Sequence, residues 1–213
     1  MSNSKVSLPV IRRLPRYFRY ITELKANGKI RVSSSQLAAV MGSTPSQVRQ
    51  DFNCFGGFGQ QGIGYSVDLL YDEIDHLLFP NSHIDAILIG AGSLGATIAN
   101  FVLTETEGVN LKAIFDNNQN LVGKTLSNIK IHDVEAVIDY CNEHKPELII
   151  ICVPKAAAEQ LAPVIIKTGV KGIWNFSHYD YSVYDKSLIV ENVHLRDSLM
   201  ALSYRINHSE DEE

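Results

Sequence analysis

The sequence has little of what a membrane or an oxidising compartment demands. Among 213 residues there are three cysteines, Cys54, Cys141 and Cys152. They are widely spaced and odd in number, which excludes a disulfide framework and a zinc site and fits reduced thiols in the cytoplasm. No apolar run reaches the roughly 18 residues that a membrane span needs. The first residues lack the apolar stretch and small-residue cleavage site of a secretory signal. Tryptophan occurs once and charged residues make up 20%. What is present is ordinary globular material. Hydrophobic residues account for 45%, enough for real cores, and the length suits one large domain or two small ones.

Charge separates along the chain. Residues 1–62 carry nine Lys and Arg against two Asp and Glu, and residues 63–213 carry ten against 22. A head of +7 therefore precedes a body of −12, which together give the net −5. Such asymmetry points to two domains with different partners. Basic charge alone is weak grounds for nucleic-acid binding, so the head must also hold a reading element.

Residues 8–27 read as a helix with Ile11, Leu14, Phe18, Ile21 and Leu24 along one stripe, ended by Gly28. Pro15 either kinks it or marks the first turn of a helix starting near Leu14. Arg12, Arg13, Arg16 and Arg19 fall off the stripe or beside it, within reach of phosphates. Ser33 and Gln36 have capping-box spacing ahead of a short helix over 34–41 that buries Leu37, Ala38 and Met41, and Gly42 ends it. Thr44, Pro45 and Gln47 then supply a cap, a first-position proline and a capping-box partner for a second helix with Val48, Phe52 and Phe55 inward. This is a helix-turn-helix, and its second helix would lead into a major groove. Ser46, Gln47, Arg49, Gln50 and Asn53 are the side chains it offers to bases or phosphates. Arg49 has an alternative in pairing with Asp51 or Asp68. A phosphate would repel Asp51, so Asp51 is expected to bond inside the fold. The segment GGFGQQGIGYSV at 56–67 is too rich in glycine for a helix. Gln60, Gln61 and Gly62 make a hairpin tip, hence a wing that reaches DNA, with a glycine-rich linker as the alternative. Residues 66–79 read as an amphipathic helix with Leu69, Leu70, Ile74, Leu77 and Leu78 inside.

Beyond a boundary near 80–83 the pattern changes. Ile84–Ile89 is a short apolar run, consistent with a buried parallel strand. Gly90, Ala91, Gly92, Ser93, Leu94 and Gly95 form G-x-G-x-x-G, a helix follows, and a second strand, LKAIFD, ends in Asp116, 21 residues past the third glycine. Strand, glycine turn, helix, strand and acid are the context that dinucleotide binding requires. The helix N-terminus favours a pyrophosphate. Asp116 suits free ribose hydroxyls and repels a 2′-phosphate, which favours NAD(H) over NADP(H). FAD or coenzyme A on the same fold are the alternatives. Helices at 133–144 and 155–168, strands at 148–154 and 171–176, a short strand in SLIVEN and a last helix continue the alternation, so a doubly wound parallel sheet is expected. Val153 and Pro154, like Asn175 and Phe176, fall at strand C-termini, where such sheets bind ligands. Cys152 reads as a core thiol. Tyr179 and Tyr181 either line the nicotinamide end or pack. No acid–base pair stands out; His178 is the nearest catalytic candidate and reads better as a surface or pocket-lining histidine. Too little chain follows the boundary for a substrate domain, so the expectation is a sensor of NADH against NAD+, with a small oxidoreductase carrying a basic domain as the alternative.

The chain as a whole resembles the Rex family of redox-sensing transcriptional repressors. The resemblance rests on RRLPRYFRYI at 12–21, VRQDFNCFGGFGQQGIGYSV at 48–67, IGAGSLGATIA at 89–99, KGIWNF at 171–176 and VENVHLRDSLMALSY at 190–204, and the glutamine-rich wing resembles clostridial members. It implies an α/β chain with a winged helix-turn-helix over 1–80, a Rossmann-type domain over 81–192, a domain-swapped C-terminal helix over 193–207 and a disordered acidic tail over 208–213. It also implies a cytoplasmic homodimer, not an enzyme, without metal or membrane partner. The dimer would hold an A·T-rich inverted repeat in double-stranded DNA, leave it when NADH binds, with NAD+ competing, and control fermentation and respiration genes. The swapped helix carries the stripe Leu195, Leu199, Leu202 and Ile206; without the resemblance, an intrachain lid is the alternative. Departures from the family pattern are Gln50 for a basic residue, Cys54 for tyrosine, neutral Gln60 and Gln61 at the wing tip, and His194 for an acid that pairs with the arginine at Arg19. With His194 there the switch contact must differ, and a charged His194 beside Arg19 would be repulsive below about pH 6.5.

Overall fold

Leu8–Ala26 forms the first helix, α1, with Pro9 in its first turn, where the missing N–H costs nothing. Pro15 lies within the helix and does not start it. The buried face also differs from the expected stripe. Val10, Leu14, Tyr17 and Ile21 go inside, whereas Ile11 is exposed. Tyr17 is what shifts the face, because its ring packs at a tilt against Phe52, centroids 4.9 Å apart, and its hydroxyl finds a buried acceptor. The computed structural model describes residues 6–55, 59–60, 63–79, 83–106, 108–183 and 188–208.

The chain divides into two units, Met1–Ser82 and His83–Glu213. In the first, the strand β1 (Arg31–Val32) precedes α2 (Ser34–Met41), whose capping box is closed by Ser33 and Gln36 and whose end is the left-handed Gly42. The next helix, α3 (Pro45–Asn53), starts at the cap Thr44. The strands β2 (Gly59–Gln60) and β3 (Gly64–Ser66) pair antiparallel, and β3 also pairs with β1. The wing expected from the glycines is therefore a hairpin; Gln61 and Gly62 lie outside the described residues, as does the side chain of Gln60. The helix α4 (Val67–Leu78) closes the unit. It buries Val67, Leu70 and Ile74, but Leu69 and Leu77 point outward, contrary to the sequence expectation. The buried face is the one that packs with α1 and β3. Leu14, Tyr17, Ile21, Leu37, Val48, Phe52 and Tyr65 share one apolar cluster with that face. Each fully buried side chain of this size contributes roughly 1.5–3 kcal/mol.

The second unit alternates strands and helices: β4 (Ile84–Ile89), α5 (Ser93–Glu105), β5 (Val109–Asp116), β6 (Thr125–Leu126), β7 (Ile129–Asp133), α6 (Val137–His144), β8 (Leu148–Ile151), α7 (Lys155–Lys167), β9 (Gly172–Asn175), β10 (Ile189–Asn192) and α8 (Leu195–Asn207). The sheet order is β10-β9-β8-β4-β5-β7-β6. Only β6 runs antiparallel. Counting the parallel strands from β4 gives the 3-2-1-4-5-6 order of dinucleotide folds. Alternation along β4 explains the double winding. Ala86 and Leu88 pack with Ala99 and Val102 of α5, and Ile87 and Ile89 pack with Val137, Ala158 and Ala162 of α6 and α7. The hairpin β6–β7 is absent from the sequence reading. Its turn is Ser127–Asn128, with φ of 48° and 67°, so two non-glycine residues sit in the left-handed region of a tight hairpin turn.

Candidate nucleotide site and nucleic-acid interface

The order of β4 and β8 puts the reversal of chain winding between them, and a cavity of about 440 Å³ opens there at their C-terminal ends. Gly90 leaves β4 with φ +102°, and a Cβ on it would lie 2.7 Å from the Cys152 carbonyl oxygen. A Cβ on Gly95 would collide with the Gly90 carbonyl oxygen, so α5 can seat against the turn only if that residue is glycine. A Cβ on Gly92 would meet nothing within 4 Å. Two glycines are thus fixed by backbone contact, while the middle one borders open space on the cavity side.

Two helices begin at this cavity with no side-chain cap: α5 after Gly92, and α7 after Pro154. Their first N–H groups are therefore available to an anion. Asp116 faces the turn from the end of β5. Its Oδ2 accepts from the Ala91 N–H at 2.6 Å and its Oδ1 from the Asn118 N–H at 2.7 Å. The carboxylate is thus held at the rim of the cavity it lines. Gly90, Gly92, Asp116, Val153 and Pro154 come together as the sequence suggested. Ala91 joins them through its N–H and Gly95 through packing, while Ser93 and Leu94 are exposed on the first turn of α5. Ile89, Asn117, Val134, Ala157, Gln160 and Leu161 complete the lining and were not singled out for it in the sequence, and Cys152, read there as a core thiol, lines it too. The missed strand β7 is one cause, because Val134 follows it directly. Burial pushes the Cys152 thiol up to about 12, so it lines the cavity as an apolar, unreactive group.

Other candidates fall elsewhere. Tyr181 is fully buried, with its hydroxyl on the Ala158 carbonyl at 3.1 Å, so it packs and does not line the site. Asn175 is buried and saturated: its amide donates to Tyr179 O and to Asn192 Oδ1, and its oxygen accepts from Ser177. His178 is exposed, its ring 5.2 Å from that of His194. His194 precedes α8, with Nδ1 at 3.2 Å from Asp197 Oδ2. Along α8, Leu195, Leu199, Leu202 and Ile206 are each more than half exposed in the single chain, and none of its residues is buried.

In the first unit the arrangement is one of internal ties. Asp51, fully buried, receives the Arg13 guanidinium through Nε and Nη2, both at 2.7 Å. The Tyr17 hydroxyl and the Gln47 amide also donate to it, at 2.9 and 2.8 Å. Burial pushes the Asp51 carboxyl up, but the hydrogen bonds from Arg13, Gln47 and Tyr17 and the charge of Arg13 outweigh it, so the net shift is downward. Arg13 is consequently tied to Asp51 within the fold, with its side chain still 30% exposed. Gln47 likewise does not close a capping box, because its side chain goes to Asp51 and only its backbone N–H meets Thr44 Oγ1. Arg16 binds the Val40 and Met41 carbonyls at the end of α2. Ser46, Arg49, Gln50 and Asn53 lie exposed on α3, with Arg49 Nη1 donating to Ser34 Oγ at 3.1 Å and to neither suggested acid. Arg12 and Arg19 are exposed on α1. Among the described residues no helix is long and apolar enough to cross a membrane, and no cluster of three metal-ligating side chains occurs.

A winged helix-turn-helix and a dinucleotide-type fold on one chain define the class of ligand-responsive DNA-binding regulators. Comparison with known proteins narrows it. A family model described as a putative DNA-binding protein N-terminus matches residues 5–53, and one described as a CoA binding domain matches residues 81–179. The redox-sensing transcriptional repressor Rex of Thermoanaerobacter pseudethanolicus is 48% identical over 207 residues, 97% of this chain and 92% of the relative. That of Clostridium botulinum is 44% identical over 205 residues, 96% and 97% of the two chains. Among solved structures, the Rex-family repressor RSP in complex with β-NAD+ and operator DNA has a TM-score of 0.88 and 47% identity, over 98% of this chain and 95% of that one. RSP in complex with β-NADH has a TM-score of 0.87 and 44% identity, over 98% and 97%. The chain belongs to the Rex family of redox-sensing transcriptional repressors, and its relatives over nearly its full length are repressors, not dehydrogenases.

Proposed function

We infer that this chain is a cytoplasmic repressor that holds an A·T-rich inverted repeat as a homodimer and leaves it when NADH binds, with NAD+ competing for the same site. Its targets are genes of fermentation and respiration. The observation that carries the reading is the open glycine turn: two uncapped helix N-termini and the Asp116 carboxylate converge on one cavity. The N–H groups receive the pyrophosphate and Asp116 the ribose hydroxyls. RSP, the same fold at 47% identity, carries β-NAD+ and operator DNA together, and β-NADH separately.

The match to a CoA binding domain favours a second reading, coenzyme A as ligand. Asp116 argues against it, because coenzyme A bears a phosphate on the ribose that this carboxylate faces. The bare stripe on α8 supports the homodimer, in which α8 is exchanged with a partner and buries that stripe. Arg12, Ser46, Arg49, Gln50 and Asn53 form the DNA-contacting set, with Gln47 beside them and the wing residues Gln60 and Gln61 at its edge. Arg19, His194 and Leu195 belong to the switch between the two forms. NADH acts by binding the released form of the dimer more tightly than the operator-bound form, which by linkage weakens DNA binding equally.

Fluorescence anisotropy of an A·T-rich palindromic duplex, titrated in parallel with NADH, NAD+ and coenzyme A, tests this. Release by NADH at concentrations where the other two leave the complex intact is the expected result. Release by coenzyme A, or indifference to all three, overturns the assignment of the ligand.

A further inference from the structure

Asp51 sits in the last turn of the reading helix with its full acceptor capacity in use. Oδ2 takes Arg13 Nε and the Tyr17 hydroxyl, and Oδ1 takes Arg13 Nη2 and Gln47 Nε2. A carboxylate accepts and does not donate, so the end of the Gln47 amide that faces it must be the NH₂ group. The backbone of Gln47 is fixed as well, through its N–H on Thr44 Oγ1 at 3.2 Å. Gln47 is the third residue of α3, in the leading turn that a helix-turn-helix sends into the groove. Among the described residues its Oε1 accepts no bond, and it is not among the buried unpaired side-chain atoms, of which Ser43 Oγ is the one found there. That oxygen therefore meets solvent.

We propose that Asp51 is a positioning residue for base reading, and that it turns Gln47 into the specificity-determining side chain of α3, committed to adenine. One N–H of Gln47 is spent on Asp51. The outward Oε1 and the second N–H remain, and they match the adenine N6–H₂ donor and N7 acceptor in the major groove. A flipped amide would present NH₂ outward and lose this choice, but it would aim Oε1 at the Asp51 carboxylate and be repelled. Arg13 keeps that carboxylate charged, so its part in recognition is played through Asp51 and Gln47 and not through a phosphate.

The inference rests on the DNA-binding reading above. It is tested with the full-length protein on an A·T-rich palindromic duplex in which each adenine is replaced in turn by 7-deazaadenine, which lacks the N7 acceptor, or by purine, which lacks N6–H₂. The wild type is expected to lose about tenfold or more in affinity at one symmetric adenine position. Gln47→Ala is expected to become indifferent at that position alone, while keeping its sensitivity elsewhere. Asp51→Asn, checked for folding by circular dichroism, is expected to blur the same position, which a purely structural defect would not single out. Because the wild-type substitutions need no variant, a poorly folded Asp51→Asn leaves the test standing. Uniform weakening of Gln47→Ala on every duplex overturns the proposal, as does an Asp51→Asn protein with the wild-type base profile. A wild type that prefers the palindrome to a scrambled duplex no more than twofold overturns the DNA-binding reading itself.

Discussion

The two units dispose of their backbone and side-chain polar groups in opposite ways. In the first, α1 begins without a side-chain cap, but α2, α3 and α4 each begin under a capping hydroxyl, from Ser33, Thr44 and Ser66, and the buried Asp51 is saturated by its own neighbours. In the second, α5 and α7 begin without a cap, and both do so at one cavity. A unit that must present a fixed surface to DNA satisfies most of its own groups, with Ser43 Oγ the buried exception among the described residues. A unit that must take up an anion leaves donors unspent, which is tolerable only where water or a ligand can reach them.

The strongest way to break this contrast is at the glycine turn. Gly95→Val should abolish NADH binding, because even a Cβ meets the Gly90 carbonyl, and operator binding should persist without release. Parallel NADH fluorescence and duplex anisotropy measure this. Loss of DNA binding along with NADH binding would show the two units to be less separate than their polar groups suggest. Next in size, Arg13→Ala should destabilise the first unit by about 3 kcal/mol, since it strands a buried carboxylate. Its dependence of log K on log salt should stay as in the wild type, whereas Arg49→Ala should flatten that slope by about 1.8, roughly 0.9 for each protomer of the dimer. Equal slopes for the two variants would return Arg13 to the phosphate contacts. Asp116→Asn should then weaken NADH by roughly 1.5–3 kcal/mol and narrow the preference over NADPH, as read by titration of both.

The smallest effect is on acid stability, and it separates the units by pH. The folded pKa of Asp51 is lowered, so its contribution is present above the usual carboxylate value of 3.8 and is lost as pH falls below it through the folded value. His132 in the second unit is also lowered, by burial and then by Lys130 and His144. Its contribution is present above 6.5 and declines as pH falls through the lower folded value, because the unfolded chain takes up the proton first. Thermal unfolding followed from pH 7 to 3 should show the second unit weakening slightly at higher pH than the first. His132→Asn and Asp51→Asn should each remove its own inflection.

Legibility in the sequence follows the range of the interactions. The capping box at Ser33 and Gln36, the proline entry at Thr44–Pro45 and the glycine turn at 90–95 are local patterns, and each lies where the pattern put it. The stripes on α1 and α4 were less legible. Apolar spacing alone allowed Ile11 or Val10, and Leu69 or Val67, and the choice fell to Tyr17 and to the neighbours that each helix meets. The hairpin β6–β7 escaped because its turn uses Ser127 and Asn128 where glycine would have announced it. The roles of Arg13 and Gln47 escaped for a related reason. Charge and position suggested DNA, and only the fold showed a buried acceptor 38 residues away from one and four from the other.

What the sequence determined by itself was the class: a basic reading head, a glycine turn with its acid and an alternating body. Those follow from charge, caps and hydrophobic periods, which act over a few residues and need no partner to be read. Tertiary structure alone decided which polar groups stay available. Asp51 consumes Arg13 and half of the Gln47 amide, while Asp116 takes up Ala91 N–H and leaves the turn at Gly92 open. Hydrogen-bond capacity is finite and is shared across the fold. Whether a side chain is left to bind DNA or nucleotide therefore depends on what else the folded chain brings within about 3 Å of it.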